Sequence, residues 1–135
     1  MSAVVIMRAL LLARTQLVDL VPAARVFIGA TPQGVALPAV AISDVGSNEI
    51  PTVARNGSSS TIEGRVQVTV YARTYEEQER LLLACKLGPG VHTGIVGNYR
   101  VNSVLPRGTN PAMPPGDDKI YERSRDFMVT FKEAN

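Results

Sequence analysis

The sequence predicts an α+β fold: an antiparallel or mixed β-sheet with two α-helices packed on one face, in the order α-β-β-β-α-β-β. Three observations carry this. Residues 62–73 alternate apolar and polar more clearly than any other stretch, the period-2 mark of a strand with one buried face. Thr74-Tyr-Glu-Glu77, directly after it, has the residue types of a helix capping box. The chain also opens on a run whose apolar residues recur at helical spacing. Strands grouped with helices, without an internal repeat, indicate a sheet covered on its apolar side.

The elements follow in chain order. At about 100° per residue, Ala3, Ile6, Leu10, Ala13, Leu17, Leu20 and Val21 share one face of an opening helix, with Arg8, Thr15 and Asp19 opposite. Arg8 interrupts the apolar run, and Arg14, Gln16 and Asp19 end it well short of the roughly 20 residues a membrane span needs. The segment therefore reads as a core-facing helix and not an export signal. Pro22 should stop it, because proline disfavours helical geometry in the residue before it. Residues 25–29 read as a short strand, residues 30–34 as a Pro/Gly turn, and residues 38–45 as a second strand with Val40 and Ile42 on one face. Residues 46–60, rich in Gly, Ser and Asn, have no consistent period and read as a mobile loop or the tip of a long hairpin.

In the alternating strand, Val66, Val68, Val70 and Ala72 face the core while Arg65, Gln67, Thr69, Tyr71 and Arg73 face away. One polar side implies an antiparallel neighbourhood. The capped helix starting at Thr74 buries Leu81, Leu82 and Cys85, places Glu76, Glu77 and Glu79 near its positive end and Lys86 near its negative end, and stops at Gly88-Pro89-Gly90. Residues 99–105 form a strand, residues 106–118 a second long loop with four prolines, and residues 120–132 a final strand with Tyr121, Phe127, Val129 and Phe131 on one parity.

Composition bounds the rest. A length of 135 residues suits one domain, residues 1–135, with long loops at about 46–60 and 106–118. A single cysteine excludes an internal disulfide framework and a cysteine metal cluster. The net charge of +2 makes no electrostatic case for nucleic acid or an acidic membrane. No aromatic stacking series accompanies the arginines, including Arg123 and Arg125, which favours a solvated or subunit-contacting surface over a nucleic-acid one.

Catalytic candidates find little support. His92 is the only histidine and sits in a Gly-rich turn, whereas catalysis needs a constellation. Ser58, Ser59 and Ser60 lack a strand–elbow–helix context. Gly88, Gly90, Gly94 and Gly97 follow a helix, whereas a dinucleotide loop follows a strand. Asp117 and Asp118 offer too few oxygens for a cation. The expected reading is a non-enzyme with no cofactor and no metal site. The surface best suited to meeting other chains comprises Arg55, Ser59, Arg65, Gln67, Tyr71, Arg73, Arg107 and Asp117.

The order of several short motifs resembles the tail-completion, or tail terminator (tail-to-head joining), proteins of long-tailed bacteriophages. These motifs are the helix from Ala9-Leu-Leu-Leu-Ala13 to Leu20-Val-Pro22, Arg25-Val-Phe27, Thr31-Pro-Gln-Gly34, and Ala36-Leu-Pro38-Ala-Val40. They continue with the strand Arg65–Ala72 running into the helix Thr74–Leu81, and the closing strand Arg125-Asp-Phe-Met-Val129 to Phe131. The resemblance implies a homo-oligomeric ring, usually a hexamer, that caps the head-proximal end of the tail tube, ends its growth and meets the head connector. It implies contact with tail tube protein and connector or stopper protein, transient unspecific contact with DNA in the lumen, no membrane, a place in the virion tail, and assembly in the host cytoplasm. The alternatives are a stopper or adaptor ring of the head–tail connector, a small ligand-binding domain uniting His92, Ser59 and Asp117, and a nucleic-acid module.

Overall fold

Val66, Val68, Val70 and Ala72 are completely buried, and they lie on a central strand of a six-stranded sheet. The computed structural model describes residues 2–29, 34, 36–50, 59–87, 93–112, 114–116 and 119–134. Strand β3 (Ser59–Ala72) is flanked by β2 (Ala39–Ile50) and β6 (Tyr121–Ala134), both antiparallel to it. Strand β5 (Tyr99–Thr109) pairs antiparallel with β6, and two three-residue strands finish the sheet. These are β1 (Val26–Ile28), parallel to β2, and β4 (Gly94–Val96), antiparallel to β5. The order β1-β2-β3-β6-β5-β4 makes a mixed sheet.

Helices α1 (Ser2–Leu12), α2 (Thr15–Val18) and α3 (Tyr75–Ala84) add their buried residues to one core with the apolar side of β3 and β6. Phe127 opposes Val66 across the β3–β6 ladder, and Phe131 opposes Ile62. Tyr99 meets Phe131 edge to face, with ring centroids 5.9 Å apart, a favoured aromatic geometry. Helix α1 approaches β3 very closely. A Cβ added at Gly64 would lie 2.7 Å from the Ala3 Cβ, so glycine is what admits the helix there.

The helix count and order differ from the expectation: among the described residues three helices and six strands run α-α-β-β-β-α-β-β-β, with a 3₁₀ turn over Ala23–Arg25. The opening helix is broken at Arg14, whose backbone is extended (φ −89°, ψ 110°). Its guanidinium Nε donates to the Ala84 carbonyl at 3.1 Å, and an Nη donates to Gln16 Oε1 at 3.0 Å. The break resets the helical phase. Ala3, Val4, Ile6, Met7 and Leu11 form the α1 stripe, Leu17 and Val21 are buried separately, and Ala13 is exposed. Arg14 also supplies the cation at the carbonyl end of α3 that the sequence reading gave to Lys86.

Both expected long loops prove partly strand. Residues Gly46–Ile50 pair with residues from Arg65 back to Thr61 after a bulge at Val45, making the arms of a long hairpin whose tip lies outside the described residues. Pro106–Thr109 extend β5 past a second bulge at Arg107. Gly, Ser, Asn and Pro weaken strand propensity, but a neighbouring strand satisfies their backbone groups whatever the side chain. Strand β4 starts at Gly94, one of the glycines that follow the helix, where no strand is expected. It forms because residues 97–98 turn the chain back onto β5, with Gly97 at φ 60°.

The start of α3 is close to the expected capping box. The Thr74 hydroxyl accepts from the Glu77 amide at 3.1 Å. Glu77 reaches back one residue further than a capping box requires, accepting from the Arg73 amide at 3.0 Å and the Arg73 guanidinium at 3.1 Å. Burial opposes ionisation of Glu77, but these Arg73 donors outweigh it and hold the carboxyl below its usual value.

Candidate subunit and partner interface

The helices cover one side of the sheet, and the side chains of opposite parity on β3 and β6 form an open face. Strand alternation alone puts Arg65, Gln67 and Tyr71 there from β3, with Glu122, Ser124, Asp126 and Met128 beside them from β6. Arg65 donates through Nε (3.1 Å) and Nη2 (2.7 Å) to Asp126 Oδ2. The Asp126 side chain is 7% exposed and that of Arg65 48%, so the pair is a capped carboxylate with its cation at the surface. Gln67 Nε2 donates to Ser124 Oγ at 3.2 Å. Asn110 Nδ2, arriving from just past β5, donates to Ser124 Oγ at 2.8 Å and to Asp126 Oδ1 at 3.2 Å. The face is thus tied across three strands by a polar network satisfied from within.

Beside Arg65 lies an open concavity of about 310 Å³, lined by Val45, Gly46, Ser47, Asn48, Glu63, Arg65 and Met128. Its walls combine hairpin residues, one carboxylate and one guanidinium with the apolar side chains of Val45 and Met128. That composition suits contact with another polypeptide better than enclosure of a small molecule, which needs a deeper apolar pocket.

The remaining expected site residues scatter. Arg73 lies past the end of β3, paired with Glu77 on the helix side. Arg107 is the bulged residue of β5, exposed and with no ion-pair partner among the described residues. Ser59 begins β3 opposite Ala134. Arg55 and Asp117 lie outside the described residues, as do His92, Ser58, Gly88, Gly90 and Asp118. Among the described residues no group of three or more His, Cys, Asp or Glu could hold a metal ion. No described helix is long and apolar enough to cross a membrane.

Several arginines turn inward to backbone. Arg8 donates to the Val26 and Ala23 carbonyls, Arg25 to that of Leu37, and Arg123 to that of Asn110. Arg123 also pairs with Glu79 at 2.7 Å. Strand parity puts Arg123 and Arg125 on the helix-covered side, so two residues weighed as phosphate contacts prove to lie away from the open face.

Asp126, Ser124 and Asn110 were missed. The even-numbered polar positions of β6 were a readable signal for the first two. Nothing local identified Asn110, which the sequence reading placed in a loop.

Fold and site together define a small α+β protein with a hydrogen-bonded polar surface borne on its strands. Residues 6–86, more than half of the chain, match the family described as tail completion protein gp17, and the chain belongs to that family. It is accordingly a structural protein of a phage tail. Among curated proteins, none matches it in sequence. Among solved structures, its fold is similar to a chain of the virion of a native gene transfer agent particle. The TM-score is 0.68 at 14% identity, over 94% of this chain and 92% of that one.

Proposed function

We propose that the chain is a tail terminator, a non-enzymatic protein that assembles into a homo-oligomeric ring, with six copies the expected number. The ring caps the head-proximal end of the tail tube, ends tube polymerisation and joins the tail to the head connector. Family membership over residues 6–86 is the observation that carries this reading. The fold's similarity to a chain of an assembled virion particle supports it. So does a side of the sheet whose strand residues are hydrogen-bonded to one another.

In this reading Arg65, Gln67 and Tyr71 present the open face, with Arg107 at its edge. Arg55, Ser59, Arg73 and Asp117 complete the contact surface toward tube and connector. DNA passes through the lumen with transient, unspecific contact, and assembly takes place in the host cytoplasm. The test is negative-stain imaging and native mass spectrometry of the purified protein, alone and with tail tubes. Rings seated on one tube end are the expected result. A chain that stays monomeric and never binds tube ends would refute the proposal, and binding only to the portal-side adaptor would make it a stopper.

A further inference from the structure

The sheet ends on two edges that differ in charge. Strand β1 covers β2 only along Val40–Ile42, so from Ser43 to Ile50 the outer side of β2 meets no strand among the described residues. Strand β4 covers β5 only along Tyr99–Val101, leaving Asn102–Thr109 likewise open. The β2 edge carries the acid Glu49, and the β4–β5 edge the bases Arg100 and Arg107, all three exposed. Each edge also shows two large apolar side chains: Val45 (54% exposed) and Ile50 (38%) on one, Leu105 (42%) and Ile95 (79%) on the other.

We infer that the two edges are complementary halves of one interface, with the β2 edge of one copy docking against the β4–β5 edge of a second copy of this chain. Charge selects the pairing. A two-fold dimer through β2 would set acid against acid, and one through β5 base against base, whereas only head-to-tail docking opposes unlike charges. Strand direction agrees. β2 and β5 run in opposite senses, since each step from β2 through β3 and β6 to β5 is antiparallel. Two copies side by side in one orientation therefore meet antiparallel. Head-to-tail contacts of this kind build a ring when the rotation from copy to copy closes and a filament when it does not, so the inference supplies an interface for the proposed ring and rests on that reading.

The contact is made by side chains more than by a continuous ladder. Bulges at Val45, Asn102 and Arg107, with Pro106 lacking an N–H, interrupt both edges. Such features keep edge strands from pairing indiscriminately. They leave apolar anchors and charges to choose the partner.

Two variants test this. One alters the β2 edge, Val45→Ser with Glu49→Arg; the other alters the β5 edge, Leu105→Ser with Arg107→Gln. All four side chains are exposed, and thermal melts matching the unaltered chain verify folding. Each variant alone should associate at least about tenfold more weakly. An equimolar mixture should form a 1:1 heterodimer by native mass spectrometry, because each variant keeps the edge the other needs. Rings that form unchanged in either folded variant overturn the edge assignment and leave the ring standing. An unaltered chain that remains monomeric, even with tail tubes, overturns both.

Discussion

Gly64→Ala is the sharpest test of how the opening helix seats on the sheet. The new methyl would sit 2.7 Å from the Ala3 Cβ and 3.7 Å from Phe131 Cε1, against an optimal carbon–carbon separation of about 3.5–4.0 Å. The obstructing atom is a Cβ fixed to a helix, not the end of a flexible side chain, so α1 must lift by about 0.8 Å or β3 must bend. Overpacking of this kind costs about 1–3 kcal/mol. Removing a strand glycine returns roughly 0.5–1 kcal/mol through the unfolded chain. The difference spans about 0–2.5 kcal/mol, and because the obstructing atom is fixed the upper part is expected, a net loss of about 1–2 kcal/mol, or a fall in melting temperature of roughly 3–7 °C for a chain of this size. Differential scanning calorimetry reads it directly. The companion variant Ala3→Gly removes the obstructing atom, so the double variant should recover part of the loss and show a coupling of about 0.5 kcal/mol or more. A Gly64→Ala protein as stable as the parent, or strictly additive effects, would refute the close approach.

Three further outcomes can be checked. Gln78 is completely buried, its Nε2 donates to the Glu122 carbonyl at 3.4 Å, and its Oε1 has no hydrogen-bond partner among the described residues. Gln78→Met should leave stability in urea unchanged or raise it by up to ~1 kcal/mol, and a loss larger than that would mean Oε1 is satisfied. Thr74→Ala should cost about 1 kcal/mol by removing the α3 cap, with Thr74→Ser retaining most of it. Burial pushes the Cys85 thiol up to about 12, partly offset by Arg125 and Arg14. The folded chain thus keeps a proton that the unfolded chain releases near pH 9. That contribution is fully present below pH 9 and is lost as pH rises toward 12. Between those limits the parent should lose up to about 1.4 kcal/mol per pH unit relative to Cys85→Ala in parallel urea titrations, and equal slopes would contradict the burial.

What could be read from the sequence was what depends on neighbours along the chain. Val66 to Ala72 alternate because every second side chain meets the same core. Thr74 caps α3 because its hydroxyl needs only the amide three residues on. Family resemblance was legible too, since its motifs are local and ordered. Arg14 could not be read this way. Its reason for breaking the helix is a carbonyl 70 residues away, and helical periodicity carries no trace of it. The hairpin arms failed for a related cause: Gly46, Ser47 and Asn48 are strand because β3 pairs with them. In the candidate interface, parity placed Arg65, Gln67 and Tyr71 on one face, but the Arg65–Asp126 pair joins residues 61 apart and emerges only once β3 and β6 lie side by side.

The inward-turned arginines have a consequence for how this protein meets salt. Arg8, Arg14 and Arg25 grip neutral carbonyls, and a bond between an ion and a partly buried dipole is screened far less than contact between two exposed charges. The fold should therefore keep its melting temperature across a wide range of ionic strength. Contacts between oppositely charged sheet edges would loosen over the same range, giving one solution variable that takes an assembly apart while leaving its subunits folded.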